Sequence, residues 1–548
     1  MKAYRIILLL ALGLGSGALH LLSLRVPDCF GFDQLRYFSQ TTVWIWSLSL
    51  FTFVFFALFA QGDKLAERSN FWVFITIISL VWLISIILLK TSAPLLGDGL
   101  DRITSVRGGL SRSLNDQPAM LDTIIHLLVF QLLKSSREGN FLTYTIISYF
   151  AGVFYLISVI IFVMKFFSQN TERVFAFLIL LCPGYIQLFA GYAENYSFLP
   201  GLVLLWMIGV KEAENKKRWL LVASQILLVF FHLFFLLLIP ASIYALLTQP
   251  AKKNRVSALA LALFGIPAGL ASVFLVFKHY RGMSIFLDVG KILSLSHLSD
   301  FFNHQILACP GVLILALGII LVQGRQALSN MEKSWLIAGL IFLIFFFFLR
   351  PVIGAMRDWD LFSFPAMIYT PAVVAYLVPR LKHESGFLAR FGSVVFAVSL
   401  FHTGLWLWVN HSEEKMVERI RFHLDEKGKS ERWASAYGYQ TLARYFGLTG
   451  RVDQATAFFE KSIEIHPDYS QNRLSFALHL WSLGRYQESL QQLEKAHQIN
   501  PTNPEIKGFL AYFYLGYSEK LKRENRVQEA EEYRQKFLEL NKETQRRR

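Results

Sequence analysis

Residues 335–360 read WLIAGLIFLIFFFFLRPVIGAMRDWD. No charged side chain falls between Trp335 and Leu349, and Arg350, Arg357, Asp358 and Asp360 follow directly. A run apolar on every face has no stripe to turn to water, so it reads as a helix in hydrocarbon. Two acids and two bases gathered at its end are costly beside lipid unless they are paired or used.

Runs of the same kind recur along the chain. They begin near Tyr4, Thr42, Phe71, Phe141, Val174, Ser197, Trp219, Leu233, Val256, Gly311, Trp335, Phe362 and Phe391. The expectation is an all-α protein with about 13 membrane spans, each needing about 20 apolar residues. The stretch from Trp219 to Thr248 is long for one span and short for two, which predicts two short helices broken near His232. The apolar content of 54% agrees, as does the high count of 50 phenylalanines, most of them before residue 410. A cleaved signal peptide is an alternative reading of the first 24 residues, but no clear small-residue cleavage site follows, and we read a first helix. Cys29, Cys182 and Cys309 are too few and too scattered for a disulfide framework or a zinc site.

Charge sets an expected orientation. With the N-terminus in the cytoplasm, the inner segments hold 18 Lys/Arg and 7 Asp/Glu, and the outer ones 13 and 12. Lys211, Lys216, Lys217, Arg218, Lys252, Lys253 and Arg255 fall inside. This is the positive-inside bias. It accounts for most of the net charge of +15 without any nucleic-acid partner. An odd span count then puts the C-terminus outside, in a plasma or inner membrane.

From Asn410 the composition becomes that of an ordinary soluble helical protein. Gly450-Arg451 recurs as Gly484-Arg485, and Pro467 as Pro501, both at 34 residues. That interval is the tetratricopeptide (TPR) period. Tyr439, Leu442, Ala443, Phe446, Ala455 and Phe459 fill the first repeat's packing positions, and Phe476, Ala477, Leu480, Leu493 and Ala496 the second's. A third unit starts near Ile506, and its Arg526-Val527-Gln528-Glu529-Ala530 comes seven residues late, which predicts a longer first helix. The domains are therefore residues 1–410 in the membrane, 411–434 as a linker and 435–545 as TPR-like repeats. The repeats would offer a protein-binding groove, or serve as a stalk or docking surface.

Several polar groups fall on the expected outer side. The first is Gly97-Asp98-Gly99-Leu100-Asp101-Arg102, whose glycines permit a tight backbone that presents a carboxylate; the plain alternative is a loop turn. After it come Arg107, Arg112 and a stretch from Pro118 to Leu133. There Leu121, Ile124, Ile125, Leu128 and Leu132 recur at helical spacing, as in a helix lying on the membrane surface. The second is Gly191-Tyr192-Ala193-Glu194-Asn195-Tyr196, a carboxylate framed by tyrosines or an aromatic belt with an incidental acid. The third is His232, a packing residue or a ligand. The fourth is the Arg350–Asp360 group, a site or a salt-bridged cap. Lys278, His279, Arg281 and Lys291 lie in a further outer segment.

Together these residues resemble a GT-C superfamily glycosyltransferase: an early outer-loop aspartate, an outer amphipathic helix, many short spans and a later acid–base cluster. The added C-terminal repeats resemble the layout of transmembrane TPR protein O-mannosyltransferases. The resemblance covers about residues 70–410 and makes the first two spans an added hairpin. It implies a polyprenyl-phosphate sugar donor, a protein or glycan acceptor and inverting transfer at the outer face. It implies Asp98 as general base with Asp101 as understudy. Arg350, Arg357 and His232 would meet the donor phosphate. Glu194, Asp358 and Asp360 would bind sugar hydroxyls or a divalent cation, and oxygen-only ligands suit Mg or Mn.

Three other readings stay open. An O-antigen-ligase or O-oligosaccharyltransferase-like enzyme would use outer histidines such as His279, His297 and His304. A non-enzymatic TPR membrane scaffold would need no acids and arginines gathered on one side. A transporter would place charges near the midplane and show paired half-repeats.

Overall fold

The computed structural model describes residues 3–59, 70–106, 119–133, 139–215, 217–248, 252–279, 285–322, 326–381, 386–427 and 431–546. Arg107, Arg112, Lys216 and Arg281 lie outside these, and the side chains of Lys252, Lys253, Lys278 and His279 lie outside the described ones. The described chain is all-α and forms two compact units, Met1–Glu418 and Arg419–Arg548.

The first unit is built from α1 (Ala3–Leu22), α2 (Gln40–Phe59), α3 (Phe71–Leu88), α4 (Gly99–Ser105), α5 (Met120–Leu133), α6 (Gly139–Phe166) and α7 (Asn170–Leu180). It continues with α8 (Leu199–Glu214), α9 (Arg218–Phe231), α10 (Ile239–Leu247), α11 (Lys252–His279), α12 (Leu295–Ala308), α13 (Val312–Val322), α14 (Asn330–Phe348), α15 (Phe364–Leu381) and α16 (Phe387–His411). Among the described residues seven helices are long and apolar enough to cross a membrane, or eight if the bent pair α12–α13 counts as one. The other apolar stretches do not meet that test among the described residues, so seven or eight such helices stand where about 13 spans are expected. α7 has 11 residues and α9 has 14. The break near His232 is present: α9 ends at Phe231, His232 is extended, and a 3-10 turn follows from Leu233 to Leu238.

Why these helices suit lipid is visible on α3. Val73, Ile77, Leu80, Val81, Ile84, Ile87 and Leu88 are all exposed, without a charge among them. Helix starts are fixed locally. Asn70 accepts the N–H groups of Trp72 and Val73, and Ser329 with Glu332 closes a capping box.

Contacts at helix ends fall into two sets. In one, the Arg5 guanidinium lies over the Phe387 ring, Arg390 donates to the Leu58 carbonyl, Lys165 pairs with Glu212 at 2.7 Å, and Arg380 pairs with Glu332 at 2.6 Å. In the other, Thr91 donates to the Ala190 carbonyl, Ser92 to Asn410 and Gly97 to Arg357. Helices α8 and α16 run from one set to the other, and the α14–α15 turn lies in the second. The cations of the first set and the acids of the second therefore sit at opposite ends of the helices.

The second unit holds three helix hairpins: α18 with α19, α20 with α21, and α22 with α23. They span Arg432–Leu448 and Val452–Ile465, Ser470–Ser482 and Tyr486–Ile499, and Pro504–Arg523 and Val527–Arg546. Each hairpin turns on a residue in the left-handed region: Gly450 (φ 79°), Gly484 (φ 76°) and Asn525 (φ 61°). In each the next arginine N–H reaches back five residues, from Arg451 to Phe446, Arg485 to Leu480 and Arg526 to Leu521. Ala443, Ala455, Ala477, Ala496 and Ala530 are fully buried where helices meet. α22 has 20 residues against 13 in α20, which is the expected longer helix. The expected linker at 411–434 is instead largely α17 (Glu413–Lys427), and its Leu424 packs against Gly438, where a side chain would clash.

Candidate functional site

Three segments distant in sequence meet at the second end of the helical body. The chain leaving α3 is first stitched down. The Thr91 N–H and hydroxyl both donate to the Ala190 carbonyl at 2.8 Å. Gln187 donates to the Thr91 hydroxyl and accepts from Asn410. The backbone then turns at Gly97, at φ 57°. A side chain there would collide with the Asp360 carboxylate and come within 2.9 Å of Glu194 and 3.2 Å of the Tyr192 hydroxyl. The sequence expectation that glycine frames Asp98 is thus met by two constraints, conformation and space.

Asp98 caps α4. Its backbone N–H donates to Glu194 Oε1 at 2.6 Å, and its carbonyl accepts from Arg102. Arg102 reaches back, with Nε 3.4 Å from Glu194 Oε2 and Nη2 3.8 Å from Asp98 Oδ2. The Asp98 carboxylate is 42% exposed, whereas that of Glu194 is 1% exposed. Glu194 therefore serves as a buried bracket, and Asp98 is the acid that faces outward.

The third segment closes the site. Arg357 donates to the Gly97 carbonyl at 3.5 Å while its own carbonyl accepts from Gly97. Tyr192 donates to Asp360 Oδ2 at 3.1 Å and accepts from Trp359 Nε1 at 3.1 Å. Asp360 also accepts from the Leu361 N–H, and Trp359 stands edge-on against Trp406.

Burial dominates the electrostatics. It raises the Glu194 carboxyl to about 7 against the pull of Arg102, and the Asp358 carboxyl to about 8, with Asp98 adding repulsion. Asp360 is raised too, by burial first and then by Glu194 and Asp358. Burial opposes the Arg102 charge, but Glu194 and Asp98 hold its pKa above the ordinary value.

The structure brings together Asp98, Glu194, Arg357, Asp358 and Asp360. Asp101 lies on the first turn of α4, half-buried. Arg350 stands apart: it is exposed, and its N–H bonds to the Ile285 carbonyl beside the bridge between Phe286 and Leu349. His232 is buried among Tyr196, Phe234 and Phe364, with Nδ1 accepting from the Phe234 N–H. Its place is behind the Glu194 loop rather than in the opening. Among the described residues no three His, Cys, Asp or Glu side chains are arranged to hold a metal ion. His304 is buried, with Nε2 2.7 Å from the Ala355 carbonyl and its ring stacked on Phe362.

Sequence reasoning quoted Arg102 in its motif without giving it a role, and passed over Asp122 and His126. The stretch expected to lie on the membrane surface is α5. Leu128 and Leu132 are exposed, at 63% and 82%, while Asp122, Thr123 and His126 are buried. Together with Arg102, Tyr144 and Asn195, the last two line a small cavity. An acid and a histidine four apart on an otherwise apolar helix was the available signal.

Residues 436–469 match the tetratricopeptide repeat family, which places the sequence match on the first hairpin. No curated protein matches the chain.

Proposed function

We propose that this chain is a GT-C-like membrane glycosyltransferase that moves a sugar from a polyprenyl-phosphate donor to a protein or glycan acceptor on the outer face of the membrane. The observation that carries this reading is the exposed Asp98 carboxylate, held by its own backbone on a buried Glu194–Arg102 bracket. A general base must be open to the hydroxyl it deprotonates yet fixed in direction, and Asp98 meets both needs.

In the proposed step Asp98 takes the proton of the acceptor hydroxyl. The acceptor oxygen attacks the anomeric carbon, and the bond to the phosphate oxygen breaks with its electron pair leaving on the phosphate. Configuration inverts. In this reading the partly exposed Asp358 offers its carboxyl to a sugar hydroxyl, with Glu194 and Asp360 buried behind it. Arg357 and Arg102 supply positive charge beside them.

The sidedness follows from the two sets of helix ends. The set rich in lysine and arginine fits the cytoplasmic side, so the Asp98 set and the TPR unit fall on the outer side. The shorter helices α7 to α10, packed against the long ones, complete the alternation that this topology needs.

The TPR match favours a second reading, a scaffold whose repeats hold a protein partner while the membrane unit only anchors them. The two readings separate on sugar transfer. The enzyme transfers sugar from a lipid-phosphate donor and loses this with Asp98→Asn, and the scaffold transfers none.

A further inference from the structure

Helix α12 is inverted for a helix in water. Its polar side chains His297, Asp300, Asn303 and His304 are buried against the body of the first unit. Leu295, Leu298 and Phe302, at i, i+3 and i+7, face outward. The turn before the helix continues this surface: Val289, Leu293 and Leu295 are 79–86% exposed. Large apolar side chains gathered in one exposed patch mark a surface that something covers. We infer that the segment from Phe286 to Phe302 is seated in the bilayer, in the leaflet on the Asp98 side, with lipid acyl chains as the partner of this face. The segment then belongs to the membrane and is not an outer loop in water. The inference does not depend on sugar transfer.

Three observations name lipid as the occupant. The first is continuity. The Leu287 N–H donates to the Phe348 carbonyl and the Arg350 N–H to the Ile285 carbonyl, which stitches the segment to the end of α14. Helix α14 is long and apolar enough to cross a membrane, and its Leu340, Ile344 and Phe348 are exposed. The patch extends that surface. The second is the backbone. Irregular chain is tolerated in lipid only where its polar groups find partners. Here the N–H groups of Lys291, Ile292 and Ser294 donate to the carbonyls of Asp288, Val289 and Lys291, and the Ser294 hydroxyl accepts from the His297 N–H. The third is charge. The acids and bases of the segment are Asp288, Lys291 and Asp300, besides His297. Asp300 and His297 are turned inward, and Asp288 and Lys291 pair with each other at 3.6 Å. Lys291 carries its charge on a long stem that reaches the headgroups from such a seat.

The seat bears on the candidate site. Helix α12 meets α13 at 88°, so it does not run on as part of that helix. From its inner face His304 stacks on Phe362 and reaches the Ala355 carbonyl. Those two residues flank Arg357, Asp358 and Asp360. Lipid sets the depth of α12, and α12 holds the segment that carries these charges, so the cluster is kept at a fixed depth relative to the leaflet.

The test is nitroxide accessibility in the full chain, reconstituted into phosphatidylcholine nanodiscs. The background is Cys29→Ser, since Cys182 and Cys309 are buried. Spin labels are attached in turn through Val289→Cys and Leu295→Cys, two of the most exposed apolar positions, where a label displaces little packing. Ile84→Cys on α3 and Tyr512→Cys in the repeats, both exposed, supply the lipid and water references. Size-exclusion chromatography checks folding, and either test position decides the matter if the other variant is not folded. The expected result is that both test positions collide with oxygen more than with a neutral nickel chelate, in the ratio found at Ile84→Cys. A ratio like that at Tyr512→Cys would put the segment in water and overturn the inference. Protection from both reagents would mean that protein covers the patch, a second copy of this chain included, and would overturn it as well.

Discussion

Glu194 accepts the backbone N–H of Asp98 at 2.6 Å, across 96 positions of sequence. This contact fixes the main chain of one acid with the side chain of another, so the Asp98 carboxylate is aimed through its backbone, with Arg102 3.8 Å from one oxygen. Breaking it is expected to cost activity before it costs the fold. Glu194→Ala leaves the Asp98 N–H without its acceptor and Arg102 buried without its main partner. Initial rates of sugar transfer should fall by at least about tenfold, with the melting temperature lowered by loss of about 1–3 kcal/mol.

Gly97→Ala should be more damaging than its size suggests. The residue sits at φ 57°, and a methyl group there would meet Asp360, Glu194 and Tyr192 together. The left-handed backbone alone costs about 1–2 kcal/mol. Transfer should be lost, and limited proteolysis should cut near residue 97 sooner than in wild type. Gly99→Ala meets the Ala193 carbonyl at 2.9 Å and should behave as a milder form of the same lesion.

Much of this was legible in the sequence. The glycines around Asp98 and the tyrosines around Glu194 pointed to a tight turn and a framed acid, against the alternatives of a plain loop turn and an aromatic belt. What the sequence could not give was the convergence of 97, 194 and 360, since the pairing of loops depends on how the helices pack. Span length was overcounted for a related reason. Hydropathy sees α7 and α9 as apolar, but not that each stops after a few turns. The polar face of α5 was hidden because five apolar residues at helical spacing argued for a lipid-facing helix, and only packing reveals which face is turned inward. In the tail the 34-residue period was unambiguous, while Asn525 concealed the third turn by standing where the other repeats have glycine.

A pH dependence follows from Glu194. Its folded carboxyl, raised to about 7 by burial, binds more protons between its ordinary value and 7 than it does in the unfolded chain. The stability this group contributes is therefore full in acid and is lost as pH rises through about 7, by at most a few kcal/mol. The melting temperature of the purified protein should fall between pH 5 and pH 8. Glu194→Gln should flatten that slope, and an equal slope in the variant would assign it to other groups.

Tyr192→Phe removes the hydroxyl that donates to Asp360 and accepts from Trp359. Both partners are buried, so the change should destabilise by about 1–3 kcal/mol, read by thermal melting. Transfer should decline, because Asp360 and Trp359 beside the site lose their shared partner.

In the repeat unit, Asn525→Gly should stabilise by a few tenths of a kcal/mol to about 1, and Gly484→Ala should destabilise by about 1–2. Both turns hold a positive φ, and only the first carries a side chain there. Protease resistance of the C-terminal repeats in the full chain reads both effects, and neither should alter sugar transfer to a small acceptor.

The most direct test of the whole account is transfer itself. Purified full-length protein in detergent is given labelled polyprenyl-phosphate sugars and membrane extract, with Asp98→Asn alongside. The account predicts transfer of label by wild type and none by Asp98→Asn. Equal transfer by both would contradict it, because Asp98 could then not be the base that the buried bracket holds in place.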